Sequence, residues 1–407
     1  MAATRDPALL TVFHRADDPW SFLLCQALPR LVEIYDVRLR FVTVPVAGPD
    51  FSPRPAMTLA HAMRDAADLA GRLELSFPER ATAPDPEDAA RMQRLLLARR
   101  DAASYLDAAL AAGEALFGGP RAKADRLAKE VALPAPEEAE AALQRNLEAQ
   151  IAAGHYLSAM IRFEDDWYWG VDRLPQLETV LINRGFRRGA GVPGAVRRRP
   201  APRLPDAGLA GDDAPTLRFY CSFRSPYSYL AAERTFALGR RWRVRVEPRL
   251  IIPMKMAGFA VPKIKADYFR MDCAREGLRL GVPFGHFTDP FGDGLLRAMS
   301  LVPMAREADL LEPFILAAMR GVWAEGRDLA DDADLAAVAA AAGLDPASAA
   351  AAADPGADLS WADAHRQELA ALGQYAAPTF ALGRYATWGQ DRLWMLEQVL
   401  DAQAVRR

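Results

Sequence analysis

The chain repeats itself, and that constrains its fold more than any other feature. Trp169-Gly170-Val171-Asp172-Arg173-Leu174 is followed by Pro-Gln-Leu-Glu-Thr-Val-Leu, and Trp388-Gly389-Gln390-Asp391-Arg392-Leu393 by Trp-Met-Leu-Glu-Gln-Val-Leu. Nine of these 13 positions are identical, 219 residues apart. In the same way Asp18-Pro19-Trp20-Ser21-Phe22-Leu23 corresponds to Ser225-Pro226-Tyr227-Ser228-Tyr229-Leu230, 207 residues later. The separation grows by 12 between the two blocks, so the halves read as copies that differ by short insertions. The length agrees, because 407 residues hold two domains of ordinary size.

Composition narrows the class. With 51% hydrophobic and 25% charged residues the chain reads as globular. A formal net charge of −3, without a large block of one sign, gives nucleic acid no electrostatic footing. No apolar run approaches the roughly 18 residues that span a bilayer. Met1–Leu10 carries Arg5 and Asp6 and lacks the apolar centre of a secretory signal. The expectation is a cytoplasmic protein with no membrane partner. Cys25, Cys221 and Cys273 are odd in number and form no Cys-x-x-Cys, which argues against a disulfide framework and a dithiol centre. The five histidines are scattered, with no metal-ligand spacing. Between the copies, residues 183–214 are rich in Arg, Gly, Pro and Ala, including Arg197-Arg198-Arg199-Pro200. This composition resists regular structure; the segment is either a solvated linker or in part an irregular strap. The expected division is therefore 8–182, a linker at 183–214, and 215–407.

Both copies have the same order of elements. A short apolar strand (9–14; 217–223) runs into a polar turn with Pro at the first helical position, whose fixed φ suits a helix start. A second strand follows (37–44; 244–252). Long alanine-rich stretches at 86–112 and 136–153, and at 297–324 and 334–352, favour helix. A strand pair and a helix close each copy (158–163, 167–169, 174–183; 379–382, 385–388, 393–402). The pattern alone supports α/β.

Three motifs of the second copy carry candidate chemistry. Ser225-Pro226-Tyr227-Ser228 lies where a strand meets a helix. Ser225 is either a plain N-cap or a hydroxyl donor to an anion drawn to the helix N-terminus. Ala377-Pro378-Thr379 precedes a strand; most X-Pro bonds are trans. In Gln390-Asp391-Arg392, Asp391 is either a helix-start acid or a partner for a ligand ammonium, and Arg392 is structural. Lys265 by itself reads as a solvated helix lysine.

Together these residues resemble the 2-hydroxychromene-2-carboxylate isomerases, which are similar to kappa-class glutathione transferases. The resemblance covers most of 216–402. It rests on Phe219-Tyr220 ahead of Ser225-Pro226-Tyr227-Ser228-Tyr229-Leu230, on Lys265-Ala266-Asp267-Tyr268-Phe269 and on Val322-Trp323-Ala324-Glu325-Gly326-Arg327-Asp328. Ala377-Pro378-Thr379 and Trp388-Gly389-Gln390-Asp391-Arg392-Leu393 complete it in the family's order. It implies two tandem thioredoxin-like domains of α/β class, each with an inserted α-helical subdomain. It also implies glutathione as cofactor and an aromatic 2-oxo acid as the small-molecule substrate, isomerised by reversible thiolate addition; glutathione transfer or a non-catalytic binding role are the alternatives. Ser225 would hold the glutathione sulfur in place of a dithiol. Ala377 would present backbone to the cysteinyl unit beside a cis Pro378. Gln390 and Asp391 would take the γ-glutamyl end, and Lys265 a carboxylate. Where the family usually has a Gly-Asn asparagine, this chain has Phe259. Family relatives are often dimers, so either a homodimer or a pseudo-dimer within the chain is implied.

The first copy departs at the site. Asp18 stands in the place of Ser225, where a carboxylate would repel a thiolate, and Ala159 in the place of Pro378. Trp169 and Asp172 remain. The expectation is a copy that kept its fold and lost glutathione chemistry; the alternative role for Asp18 is a general base. His14 and Cys25, although close in sequence, read as core or surface residues rather than catalytic ones.

Overall fold

The computed structural model describes residues 6–189, 194–196 and 215–405. The chain divides into two compact units on either side of residue 200. The first runs β1 (Ala8–His14), α1 (Pro19–Ile34), β2 (Val37–Thr43), α2 (Pro55–Leu73), α3 (Pro86–Leu97), α4 (Ala102–Leu116), α5 (Ala122–Lys129), α6 (Pro136–Ala152), β3 (Met160–Phe163), β4 (Asp166–Trp169) and α7 (Leu174–Asn183). The second runs β5 (Thr216–Cys221), α8 (Pro226–Trp242), β6 (Arg245–Leu250), α9 (Lys263–Leu280), α10 (Asp293–Ser300), α11 (Val302–Glu307), α12 (Leu311–Ala324), α13 (Asp332–Ala341), α14 (Pro346–Ala352), α15 (Ser360–Ala371), β7 (Thr379–Leu382), β8 (Tyr385–Trp388), a 3₁₀ turn (Gln390–Arg392) and α16 (Leu393–Val405).

Each unit is a four-stranded sheet of one topology, β2-β1-β3-β4 and β6-β5-β7-β8. The first two strands pair in parallel across the α1 or α8 crossover, and the rest pair antiparallel. The inner strands β1, β3, β5 and β7 are more buried than the edge strands β2 and β6, since an inner strand is covered by neighbours on both sides. The helical block enters between the second and third strands of each unit. This is the expected pair of thioredoxin-like domains with helical insertions.

The long helical stretches break at points of local chemistry. The one expected over 86–112 divides at Asp101, whose carboxylate accepts from the Ser104 amide (2.9 Å) and caps a new helix. The one over 297–324 divides at Pro303 and again at Asp309, which is left-handed (φ 58°). The one over 334–352 divides at left-handed Gly343, ahead of Pro346. The pattern did not signal α2 and α9. The buried face of α2 sets His61 and Asp65 beside a stripe made mostly of alanine (Ala62, Ala66, Leu69, Ala70, Leu73), and that of α9 carries Lys265, Asp272 and Glu276, which leaves α9 without an apolar stripe.

The first residues expected in the linker belong to the first unit. Arg187 bridges to Tyr35, the Asp36 amide donates to the Phe186 carbonyl (2.7 Å), and the Arg188 amide to the Ile34 carbonyl (2.8 Å). Most of the expected linker, 190–193 and 197–214, lies outside the described residues. Among the described residues no helix is long and apolar enough to cross a membrane.

In the second unit α8 lies against β6 through Gly239. A Cβ there would come within 2.4 Å of Val246 Cγ2 and 3.1 Å of the Val244 carbonyl oxygen. Gly239→Ala is expected to destabilise the chain by about 1–3 kcal/mol through overpacking, read as a lower midpoint in urea denaturation. An unchanged midpoint would show that the helix can lift off the strand freely.

Candidate active site

The site of the second unit forms where β5 ends and α8 begins. Ser225 has extended backbone (φ −99°, ψ 111°), and its Oγ accepts from the Ser228 amide at 3.1 Å, satisfying one of the orphan donors of the helix start. The same hydroxyl donates to the Ala377 carbonyl at 3.3 Å. Ser225 is thus an N-cap and also a neighbour of the loop before β7. The Ala377–Pro378 bond of that loop is cis. The Pro378 carbonyl accepts from the Gly389 amide at 3.0 Å, which brings the Trp-Gly-Gln-Asp-Arg block against the same loop. Gly389 is required there, since its φ is 113° and a Cβ would lie 2.5 Å from Asp391 Oδ1. Three of the sequence motifs therefore meet at one place.

The residues differ in what they can offer. Asp391 is buried with a side-chain oxygen 3.5 Å from the Arg392 guanidinium, and Arg392 is wholly interior, the structural residue expected. Gln390 is also buried, and its amide is bonded at both ends. Its Nε2 donates to Glu276 Oε2 (2.6 Å) and its Oε1 accepts from Arg234 Nη1 (2.9 Å). The Gln390 side chain is thus turned into the protein rather than toward a ligand. Lys265 is not the solvated lysine of the bare reading; it is only 7% exposed on α9, and burial pushes its ammonium down to about 8. Its helix is tied to the head of α8 by Tyr227, whose hydroxyl donates to Asp272 Oδ2 (2.8 Å). Phe259 lies in an aromatic row with Tyr375 and Trp388 (ring centroids 6.4 and 6.2 Å apart). The Val322–Asp328 motif serves the scaffold, with Trp323 Nε1 donating to the Phe223 carbonyl (2.9 Å) just ahead of the site.

No protein thiol serves this place. Cys25, Cys221 and Cys273 are free and buried, and burial drives the Cys25 and Cys221 thiols far above their ordinary range.

At the equivalent place in the first unit, Asp18 is closed. Its carboxylate accepts from the Trp20 and Ser21 amides (3.3 and 3.2 Å) and from the Ser21 and Ser158 hydroxyls (2.7 and 2.8 Å). Four donors hold this carboxylate, three on Oδ2 and one on Oδ1, and at 2% exposure it is a cap shut away from solvent. The Ala159 carbonyl takes the Gly170 amide (2.7 Å) as Pro378 takes that of Gly389. Burial pushes His14 down to about 3, so it stays neutral in the core, bonded to Tyr105 (3.3 Å). Sequence reading missed Tyr227, Asp272, Glu276 and Arg234. The signal for Asp272 was present, since Asp65 stands 207 residues before it and takes the Trp20 indole N–H (2.8 Å) as Asp272 takes Tyr227.

The second unit is similar to known proteins. Residues 216–401 match the family of DsbA-like thioredoxin domains. A 2-hydroxychromene-2-carboxylate isomerase of Sphingobium xenophagum is 32% identical over 196 residues, which is 46% of this chain and 97% of that protein. Among solved structures, a 2-hydroxychromene-2-carboxylate isomerase is similar at 23% identity with a TM-score of 0.41, covering 47% of this chain and 97% of that one. The cytosolic disulfide reductase DsbM of Pseudomonas aeruginosa, solved with GSH, is similar at 21% identity with a TM-score of 0.36, covering 47% and 100%.

Two outcomes follow from this geometry. Asp18→Ala removes a cap and strands one buried and one half-buried hydroxyl, Ser21 and Ser158, and should cost about 2–3 kcal/mol, against about 1 kcal/mol for Ser225→Ala; equal costs in urea denaturation would show that the Asp18 contacts are not structural. For Lys265, the folded value near 8 lies below the ordinary 10.5, so between them the unfolded chain binds more protons. Stability should then rise from about pH 8 to 10.5, with the penalty full below 8. Lys265→Met should remove that rise when denaturation is compared across the window; an identical pH profile in the variant would refute the burial cost.

Proposed function

The chain belongs to the family of DsbA-like thioredoxin proteins that includes 2-hydroxychromene-2-carboxylate isomerase, and from that premise we propose that its second unit is a glutathione-dependent isomerase of unsaturated aromatic 2-oxo acids. The observation that carries the reading is the Ser225 hydroxyl at the head of α8, 3.3 Å from the Ala377 carbonyl, with serine also at position 228 and no protein thiol at hand. Disulfide exchange needs two cysteines here. A serine at the same helix N-terminus instead suits a thiol brought from outside, which the helix end and the hydroxyl together favour as thiolate.

In this reading the residues present suit glutathione. The Ser225 hydroxyl turns from the Ala377 carbonyl to the sulfur. The Ala377 backbone pairs with the cysteinyl unit beside Pro378, Asp391 takes the ammonium of the γ-glutamyl end, and Lys265 takes a carboxylate. Gln390 contributes through the shape of its turn, its side chain being occupied. When bound, glutathione would supply a thiolate for reversible addition to a C=C conjugated to a carbonyl, and the same thiolate would be released once that bond had turned. Reversible addition divides one difficult step into two easier ones. The row of Phe259, Tyr375 and Trp388 beside the loop offers flat apolar faces to an aromatic substrate. The first unit, its Asp18 held by four donors, supports the fold without this chemistry.

Calorimetric titration of the reduced chain with glutathione is expected to show one site, weakened about tenfold or more by Asp391→Ala. Ser225→Ala should still bind but lose most isomerase turnover on aromatic 2-oxo acids. Absence of glutathione binding would sink the reading, and accumulation of a stable conjugate in place of the isomer would replace isomerase with transferase.

A further inference from the structure

The duplicated chain contains its own control experiment. The two units keep a separation of 207 residues through their first helical parts. Pro55–Leu73 of α2 and Lys263–Leu280 of α9 end together, each at a left-handed residue, Glu74 (φ 58°) and Gly281 (φ 69°). From β3 and β7 onward the separation is 219. Positions can therefore be compared one by one.

In the second unit Arg234, Glu276 and Gln390 form a largely buried polar triad. Glu276 is 1% exposed and Gln390 1%. Glu276 accepts from Gln390 Nε2 (2.6 Å) and is held in turn by Arg279 (2.8 and 2.7 Å). Arg234 Nη1 reaches both the side-chain oxygen (2.9 Å) and the backbone oxygen (3.3 Å) of Gln390. At the three equivalent positions of the first unit stand Ala27, Leu69 and Val171, with 1%, 0% and 4% exposure. The same fold therefore closes over three apolar side chains where the second unit has a cation, an anion and an amide. Burying charge costs desolvation, and apolar replacement of a buried polar group is often neutral or stabilising. Stability does not explain the triad.

What sets it apart is its target. Its three members belong to α8, α9 and the 3₁₀ turn, so they join the helix capped by Ser225, the helix carrying Lys265 and the turn carrying Asp391. Glu276 shares the buried face of α9 with Lys265 and Asp272. We infer that Glu276 and Arg234 are positioning residues, which clamp Gln390 from both ends and so hold the Asp391 carboxylate in register to receive an ammonium-bearing ligand. The inference rests on the functional reading above for the identity of that ligand, but not for the clamp itself.

The test uses the full chain with three variants. Glu276→Gln keeps an acceptor for Gln390 and should bind glutathione within about threefold of the parent. Glu276→Leu should weaken binding about tenfold or more. The triple variant R234A/E276L/Q390V, which copies the first unit, should keep or raise the thermal midpoint and still bind weakly, separating positioning from folding. Amide hydrogen exchange over 389–392, read without ligand, should quicken in Glu276→Leu and not in Glu276→Gln. Unchanged exchange in Glu276→Leu would overturn the inference, as would parent-like affinity in the triple variant. If the parent itself binds no glutathione, the functional reading fails, and the exchange result alone decides the clamp.

Discussion

The first turn of a helix leaves backbone N–H groups without partners. In both units that turn stands where the first strand runs into the sheet's long crossover helix, and a side chain takes part of the load, a buried Asp18 in the first and a half-buried Ser225 in the second. In the first unit the cap is a carboxylate that gathers two amides and two hydroxyls, Ser158 among them, and so ties α1 to the loop before β3. In the second it is a hydroxyl that takes one amide and gives its proton to the loop before β7. Both caps hold helix, strand and loop together. The carboxylate does so by holding four donors at once, whereas the hydroxyl accepts from one amide and donates to one carbonyl. One residue at one junction separates a buried acidic cap from a half-buried hydroxyl cap.

Polar groups buried near that junction divide into two kinds. The Trp20–Asp65 and Tyr227–Asp272 bonds recur at equivalent positions, and they fasten α2 and α9 to the helix heads in both units. The fold uses them twice, once in a unit with a closed cap, which marks them as architectural. The Arg234–Glu276–Gln390 set and the buried Lys265 have no counterpart, since Ala27, Leu69, Val171 and Thr58 stand in their places. An interior that accepts apolar residues at a position gains no stability from charge there. The excess polar groups of the second unit lie on α8, on α9 and in the turn that carries Asp391.

Legibility followed the location of the signal. The strands, the caps and the closing β-β-α block were readable because alternation, Pro at a helix start and the Trp-Gly-x-Asp-Arg-Leu repeat are local features. The breaks within the helical blocks were less so, as alanine-rich sequence favours helix on both sides of Asp101 or Gly343. The helix α9 was illegible by periodicity because the face it buries mixes Lys265, Asp272 and Glu276 with Tyr268 and Cys273 and forms no apolar stripe.

By itself the sequence determined the repeated blocks, the serines at 225 and 228 without a Cys-x-x-Cys, and the difference between Asp18 and Ser225 at matching positions, because each is written in residue identities at fixed spacing. The tertiary structure alone decided that Lys265 is interior, that the Gln390 amide is already bonded and that Asp18 is held by four donors. Those are statements about partners, and the partners are far away along the chain. Gln390 and Glu276 are 114 residues apart, and Asp18 and Ser158 are 140. Burial and hydrogen-bond satisfaction exist only once the chain has closed on itself.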